Sequence, residues 1–167
     1  MDTYVDLATQ SIDVYIRHAR VIAPPPGLPE ALGRRAGVFV SLKKNARLRG
    51  CIGTFLPTRA TVAHEIIENA IKAATADPRF PPIREEELED LRISVDVLGE
   101  PETCSEAELD PKRYGIIVES GSRRGLLLPD LDGVATAESQ LEIVRAKAGI
   151  RPDETAALRR FTVERHT

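Results

Sequence analysis

Two strand-like segments joined by a short connection constrain the fold more than any other feature of this sequence. The first, GVFVSL, begins at Gly37, and the second, RLRGCIGT, covers Arg47–Thr54. The connection KKNA contains Asn45, which tolerates the left-handed backbone conformation that tight turns require. The pattern predicts an antiparallel β-hairpin.

The second strand of this hairpin places a cysteine between two glycines, with two arginines just upstream. Successive side chains of a strand point to opposite faces, so the strand should divide into two sets. One face is expected to hold Leu48, Gly50 and Ile52. The other is expected to hold Arg47, Arg49, Cys51 and Gly53. The alternation therefore predicts that the thiol lies beside two guanidinium groups.

Apolar residues at spacings of three and four predict helices elsewhere in the chain. The first covers residues 3–22, is capped by Asp2 or Thr3, and ends at APPPGLP, which is expected to link two lobes. The second covers Arg59–Thr75 and ends at DPRFPP. A third is capped by Thr136 and closed by Gly149.

Further strands are predicted at LRISVDVL, in a second hairpin of Ile116–Glu119 and Gly125–Leu128, and in a final strand within LRRFTVERH. Strands that arrive in hairpins, with helices interspersed, favour an α+β fold with largely antiparallel sheets and flanking helices.

Length, charge and hydropathy limit the classes of function. The 167 residues fit one domain or two small lobes. A net charge of −3, with lysine and arginine scattered, argues against a nucleic-acid partner. The apolar stretches are too short to cross a bilayer and no signal peptide is visible, so a cytoplasmic protein without membrane contact is expected.

Cysteine and histidine usage indicates neither a disulfide framework nor a metal site. Cys51 and Cys104 are expected to be reduced thiols, and the three histidines lie far apart without a metal-ligand spacing. No cofactor is predicted.

Two interpretations of Cys51 follow from the local pattern. Positive neighbours lower the pKa of a thiol, and glycines let a substrate approach closely, so Cys51 could be a nucleophile activated by Arg49. Alternatively, Cys51 is a small buried side chain, and its glycines serve a bulge or close helix packing. His64 flanks the buried stripe of the second helix, so no Cys–His pair is predicted.

The polar residues of the second helix are interpreted in two ways. Glu65 and Glu68 are expected to face solvent, as charged residues on a helix normally do. Asn69 is the exception, because it falls beside Ala70 near the packed side, where a buried amide needs hydrogen-bond partners.

Three segments taken together resemble the AMMECR domain family, whose prokaryotic members are called AmmeMemoRadiSam system protein A. They are GVFVSLKKNARLRGCIGT, ENAIKAATADPRFPP, and GLLLP followed by a helix that ends in KAGI. The resemblance covers nearly the whole chain, in order. Its most specific part is LRGCIG, Leu48 to Gly53, with Asp77, Pro78, Arg79 and Phe80 downstream.

This resemblance implies a single α+β domain over residues 1–167 with two lobes and a cleft. The larger lobe is expected to contain both termini and the smaller one to be inserted. It also implies association with a Memo-like protein of the class III extradiol dioxygenase fold and with a radical S-adenosylmethionine protein. No catalytic residue comes with the family. Its signature marks cleft candidates, and the helix pattern adds Asn69: the set is Leu48, Gly50, Ile52, Gly53, Asn69, Asp77, Arg79 and Phe80.

Three functions remain open from the sequence. The chain is expected to be a noncatalytic partner subunit that positions a substrate for the Memo-like and radical S-adenosylmethionine proteins. The first alternative is a cysteine-dependent enzyme that uses Cys51 with Arg49 as activator. The second is binding of RNA or another nucleic acid through Arg47, Arg49, Arg79 and Arg123, which the acidic charge balance opposes.

Overall fold

The computed structural model describes residues 2–167 and contains three α-helices and two four-stranded antiparallel sheets. The helices are α1 (Thr3–His18), α2 (Val62–Thr75) and α3 (Ala137–Ala148). The strands are β1 (Val38–Lys44), β2 (Arg47–Thr54), β3 (Leu91–Leu98), β4 (Glu102–Thr103), β5 (Gly115–Ser120), β6 (Arg123–Leu127), β7 (Ala157–Phe161) and β8 (Val163–His166). This architecture confirms the predicted α+β class.

The chain divides into two compact units. The first contains the residues up to Leu98 together with Glu164–Thr167, and the second contains Gly99–Val163. The segment APPPGLP lies inside the first unit, so its interpretation as a linker between lobes is wrong.

None of the helices in residues 2–167 has both the length and the apolar character that crossing a membrane requires.

The first unit is a sheet of order β2-β1-β3-β8 whose inner face packs against α1 and α2. Val38, Val40 and Leu42 of β1 alternate with partly exposed neighbours and are fully buried, as a half-covered sheet requires. They form one apolar core with Val95 and Val97 of β3 and with the buried stripes of both helices.

The predicted hairpin is confirmed as β1 and β2. Asn45 and Ala46 connect the strands, and both have positive φ angles, 51° and 61°. Two left-handed residues in a two-residue loop match the right-handed twist of the flanking strands. Asparagine is among the residues that tolerate this conformation best, which explains its place in the turn.

Helix α1 is shorter than the sequence predicts. Asp2 caps it by accepting hydrogen bonds from the main-chain N–H groups of Tyr4 and Val5. The helix ends at His18 instead of residue 22, because Ala19 adopts the left-handed conformation and donates its N–H to the Tyr15 carbonyl. This left-handed cap ends the helix before the proline-rich segment is reached.

Helix α2 begins at Val62, three residues after the predicted start. Thr61 is its cap, since the Thr61 hydroxyl accepts a hydrogen bond from the His64 N–H. The residues before the cap are held in a non-helical loop by the carboxylate of Glu65, which is described with the site below.

The second unit is a sheet of order β4-β7-β5-β6 with α3 packed on β5 and β6. Its helix has the predicted ends, with Thr136 as the cap and Gly149 at φ 69°. The N–H of Ile150 donates to the Arg145 carbonyl at 2.9 Å, which completes the predicted closing turn.

The C-terminal segment forms two strands where one was predicted. The chain leaves β7 at Phe161, passes through Thr162 and continues as β8 from Val163. Strand β7 belongs to the second sheet and β8 to the first. The apolar alternation continues across Thr162, so the sequence pattern alone does not reveal that the chain changes sheets.

Candidate functional site

A β-bulge in the first hairpin decides which side chains accompany Cys51. Leu42 pairs with Gly50, whereas Lys43 pairs with Leu48, so Arg49 is an extra residue in β2. Directly paired residues of an antiparallel sheet share a face. An extra residue therefore reverses the alternation beyond it.

This reversal corrects the predicted faces of β2. Arg47 pairs with Lys44, on the same side of β1 as the core residue Leu42, while Cys51 pairs with Ser41 on the opposite side. Leu48 and Gly50, which the alternation predicted on one face, also lie on opposite faces, because they pair with Lys43 and Leu42. Arg47 and Cys51 thus lie on opposite faces, and the prediction that two guanidinium groups flank the thiol is wrong.

Arg49 is held by the segment that follows α2. Its Nε and Nη2 donate to the Glu87 carboxylate at 3.1 and 3.0 Å, and its Nη1 donates to the Pro81 carbonyl at 2.7 Å. Nη2 also reaches the Pro82 carbonyl at 3.3 Å. The hydrogen bonds from Arg49 to the carboxylate, with further ones from the Arg84 N–H and Lys44, lower the pKa of Glu87 to about 2. Arg49 therefore fastens the DPRFPP segment to β2, and none of its hydrogen bonds reaches the Cys51 thiol.

Asp77 and Arg79 bind the main chain of Cys51. The Cys51 N–H donates to Asp77 Oδ2 at 3.0 Å, and the Cys51 carbonyl accepts from Arg79 Nη2 at 3.4 Å. Arg79 also donates to both carboxylate oxygens of Asp77, from Nε at 3.1 Å and from Nη2 at 2.9 Å. We call Asp77, Pro78 and Arg79, with these hydrogen bonds to Cys51, the DPR clamp. The sequence singled out both LRGCIG and DPRFPP, and the clamp joins them into one structural unit.

The two glycines of LRGCIG are required by close packing. A Cβ atom on Gly50 would lie 2.2 Å from the Ala73 carbonyl oxygen of α2. A Cβ atom on Gly53 would lie 2.2 Å from the ring of Phe39. The first glycine lets α2 approach the strand, and the second makes room for an aromatic ring.

The Cys51 thiol lies in a row of small polar residues on the face opposite the core. Cys51, Ser41 and Ser94 are directly paired across β2, β1 and β3. The Cys51 Sγ and Ser41 Oγ atoms share a hydrogen bond of 3.2 Å. Burial raises the pKa of the Cys51 thiol, and this outweighs the lowering by the Ser41 hydrogen bond and the Arg79 charge. The thiol is therefore less ionised than a free cysteine.

In the part of the chain that the structure describes, Cys51 has no hydrogen bond to a histidine. His64 Nδ1 and the Thr61 hydroxyl share a hydrogen bond of 2.7 Å instead. Both cysteines are free thiols. Within residues 2–167, no group of three or more histidine, cysteine, aspartate or glutamate side chains is arranged to hold a metal ion.

Arg79 is exposed but fixed in position. Its side chain is 57% exposed, whereas that of its partner Asp77 is only 2% exposed. The hydrogen bonds from Arg79 hold the pKa of the Asp77 carboxyl well below its usual range. The guanidinium also lies 5.5 Å from the centroid of the Phe80 ring. Arg79 Nη1 has no hydrogen-bond acceptor among residues 2–167, so its donors are available to a ligand.

Glu65 is a buried carboxylate that the sequence placed in solvent, so that expectation is wrong. It is 1% exposed and accepts hydrogen bonds from the Thr54 hydroxyl at 2.8 Å and the Arg59 N–H at 2.8 Å. It also accepts from the N–H and hydroxyl of Thr58. The only signal in the sequence is the threonine pair TFLPT, whose hydroxyls can satisfy a carboxylate without a cation.

The remaining predicted residues do not gather at the DPR clamp. Asn69 is buried and donates to the Val38 carbonyl at 3.0 Å, which supplies the partner that a buried amide needs. Ile52 packs against the core, and Leu48 is 41% exposed. In the second unit, Arg123 pairs with Glu154 at 2.7 Å.

These observations define an α+β protein whose first hairpin is bulged at an arginine and clamped by a DPR segment. Comparison with known families agrees with this description. The chain matches the model of the AMMECR1 family over residues 5–166, and it belongs to that family.

Relatives occur in bacteria and archaea. A Thermotoga maritima protein is 53% identical, with the match covering 98% of this chain and 96% of that protein. A Clostridium acetobutylicum protein is 48% identical over 99% of this chain, but the match covers only 36% of its own length. The crystal structure of a Pyrococcus horikoshii protein superposes with a TM-score of 0.91 at 35% identity, covering 97% of this chain and 88% of that one.

Proposed function

We propose that this protein is a partner subunit that recognises an acidic group of its partner or substrate through Arg79. Following the family resemblance, the partners are a Memo-like protein and a radical S-adenosylmethionine protein. The observation that supports this proposal is the DPR clamp, which fixes an exposed guanidinium while leaving Arg79 Nη1 without an acceptor in the described part of the chain.

A fixed guanidinium is suited to recognition because its conformational entropy is lost during folding and not on binding. Arg79 has two side-chain hydrogen bonds to Asp77 and one to the Cys51 main chain, so its orientation is set before any ligand arrives. Asp77 balances its charge, and the N–H groups of Nη1 remain able to donate charge-assisted hydrogen bonds to a carboxylate or phosphate.

The thiol chemistry around Cys51 favours the partner role over the enzyme alternative. A thiolate nucleophile needs a lowered pKa or an adjacent base. Burial instead raises the pKa of Cys51, and its side chain is hydrogen-bonded to a serine hydroxyl. In the enzyme alternative, the cation near the thiol is Arg79, because Arg49 is engaged by Glu87 and two prolyl carbonyls.

Binding to the Memo-like and radical S-adenosylmethionine proteins of the same organism tests this proposal. Each purified partner is titrated with the wild-type protein and with Arg79→Gln. Loss of a charge-assisted hydrogen bond is expected to weaken binding about tenfold or more. Arg84→Gln is the matched control, since Arg84 is also exposed and paired with a nearby carboxylate, Glu86. Circular dichroism confirms that both variants fold.

Three results would contradict the proposal. The first is that neither partner binds the wild-type protein. The second is that Arg79→Gln binds as tightly as wild type, and the third is that Arg84→Gln weakens binding as much as Arg79→Gln does. Cys51→Ser separates the enzyme alternative, because a partner subunit retains binding and in vivo function without the thiol. Binding to RNA that weakens steeply with salt would instead support the nucleic-acid alternative.

A further inference from the structure

A pocket of about 320 Å³ lies within the second unit. Its apolar lining comes from Val118 of β5, Leu141 of α3, and Ala156 and Leu158 in and next to β7. Polar residues at its edge include Cys104, Glu106 and Arg145. This volume is at the lower end of the range of about 300–1,000 Å³ that small-molecule sites occupy.

Of the two arginines that line this pocket, Arg145 has no carboxylate partner among residues 2–167. Arg145 Nη1 donates to the Arg151 carbonyl at 2.8 Å and to the Glu154 carbonyl at 3.0 Å. These two acceptors fix the guanidinium, but they leave its charge unpaired and its Nε and Nη2 donors without an acceptor in residues 2–167. The other arginine of the lining, Arg159, is paired with Glu119.

Unpaired and partly buried charge is costly unless an opposite charge approaches it. Nε and Nη2 lie on one edge of the guanidinium and present two parallel N–H groups, which match the two oxygens of a carboxylate. Arg145 is the one cation of the described lining without an acidic partner, and Glu106 also lies at the pocket, so a ligand with one negative charge is favoured. The apolar lining favours a ligand with a hydrocarbon body.

We infer that this pocket binds a small amphipathic monocarboxylate, with the carboxylate on Arg145 and the apolar body against Leu141 and Leu158. The ligand has roughly ten non-hydrogen atoms, because each water-sized group occupies about 30 Å³. The site lies wholly within the second unit. It is therefore independent of the Arg79 surface and of the proposed partner role.

Octanoate, 1-octanol and octylamine are suitable probes, since they share one hydrocarbon chain and differ in the charge of the head group. Binding is measured by isothermal titration calorimetry and by protection of the Cys104 thiol from iodoacetamide, read by peptide mapping. Cys51 is alkylated in the same sample and lies in the other unit, so its rate is an internal control. Octanoate is expected to bind at least about tenfold more tightly than octanol or octylamine and to slow the alkylation of Cys104 alone.

Three variants complete the test. Arg145→Gln is expected to weaken octanoate binding about tenfold while leaving octanol binding unchanged. Ala156→Phe fills the pocket and is expected to abolish binding of both. Arg151→Gln is the control, because Arg151 is exposed and paired with Asp153 and is not part of the lining.

The inference is overturned if no probe binds in the millimolar range. It is equally overturned if octanol binds as tightly as octanoate, or if Arg145→Gln retains full octanoate affinity. Should Arg145→Gln fail to fold, Ala156→Phe and the comparison of head groups still decide the result.

Discussion

Replacing Gly50 with alanine tests how closely α2 approaches the bulged strand. The new methyl carbon would lie 2.2 Å from the Ala73 carbonyl oxygen and 3.2 Å from its carbonyl carbon. Favourable contacts between heavy atoms need about 3.5 Å, so the helix or the strand must move by roughly 1 Å. Both atoms in the clash are tied to the main chain, and no side-chain rotation relieves it.

Two effects of this substitution oppose each other. Overpacking of this kind costs about 1–3 kcal/mol, while removing a glycine stabilises the folded state by about 0.4–1 kcal/mol through the unfolded chain. The packing cost is the larger, so we expect a net loss of about 1 kcal/mol in the free energy of unfolding. In a unit of about a hundred residues, this loss lowers the melting temperature by roughly 5 °C.

The assay is urea and thermal unfolding followed by circular dichroism. Gly33→Ala is the matched control, because no atom lies within 4 Å of its added Cβ and its φ angle is not positive. This control variant restricts the unfolded chain in the same way as Gly50→Ala, but it introduces no clash in the folded state. If both variants change the free energy of unfolding equally, within about 0.5 kcal/mol, the proposed close approach of α2 is refuted.

Three further predictions concern the polar contacts of the first unit. Glu65→Gln should destabilise the protein by about 1–3 kcal/mol in urea unfolding, because an amide nitrogen cannot accept the hydrogen bonds that the Glu65 carboxylate receives. The control is Glu100→Gln, which should be neutral because Glu100 is exposed. The pKa of Glu87 is lowered from 4.5 to about 2, so its stabilising contribution is complete above pH 4.5 and is lost as the pH falls towards 2. Arg49→Met should reduce this loss of unfolding free energy, and an unchanged dependence of that free energy on pH would contradict the role of Arg49. Because burial raises the pKa of Cys51, iodoacetamide at pH 7 should alkylate it more slowly than free cysteine, and faster alkylation would favour the enzyme alternative.

Local patterns predicted most of the fold. Apolar alternation, turn residues and helix caps identified both hairpins and the ends of α3 at Thr136 and Gly149, because these signals depend on neighbouring residues. The end of α1 was missed because alanine at position 19 carries no sequence signal for the left-handed conformation it adopts. The change of sheet at Thr162 depends on tertiary pairing, which alternation does not encode.

The site could be predicted only in part for a similar reason. The sequence singled out LRGCIG and DPRFPP, and it considered a bulge as one use of the glycines. It did not place the bulge at Arg49, because a bulge is set by pairing with β1 and not by the residues of β2 alone. That single extra residue moved Arg47 to the opposite face from Cys51. Through the fold, Asp77 and Arg79, 26 and 28 positions along the chain from Cys51, became the charged residues that contact its main chain.

The order of strands in the first sheet has a consequence for biosynthesis. Strand β8 completes this sheet, yet it is translated only after the whole second unit. While the ribosome makes the second unit, β1, β2 and β3 must wait with one edge of β3 unpaired. An unpaired edge can associate with another nascent chain, so the first sheet is open to wrong pairing during this interval. The second unit is continuous in sequence, so its sheet does not wait for a distant strand.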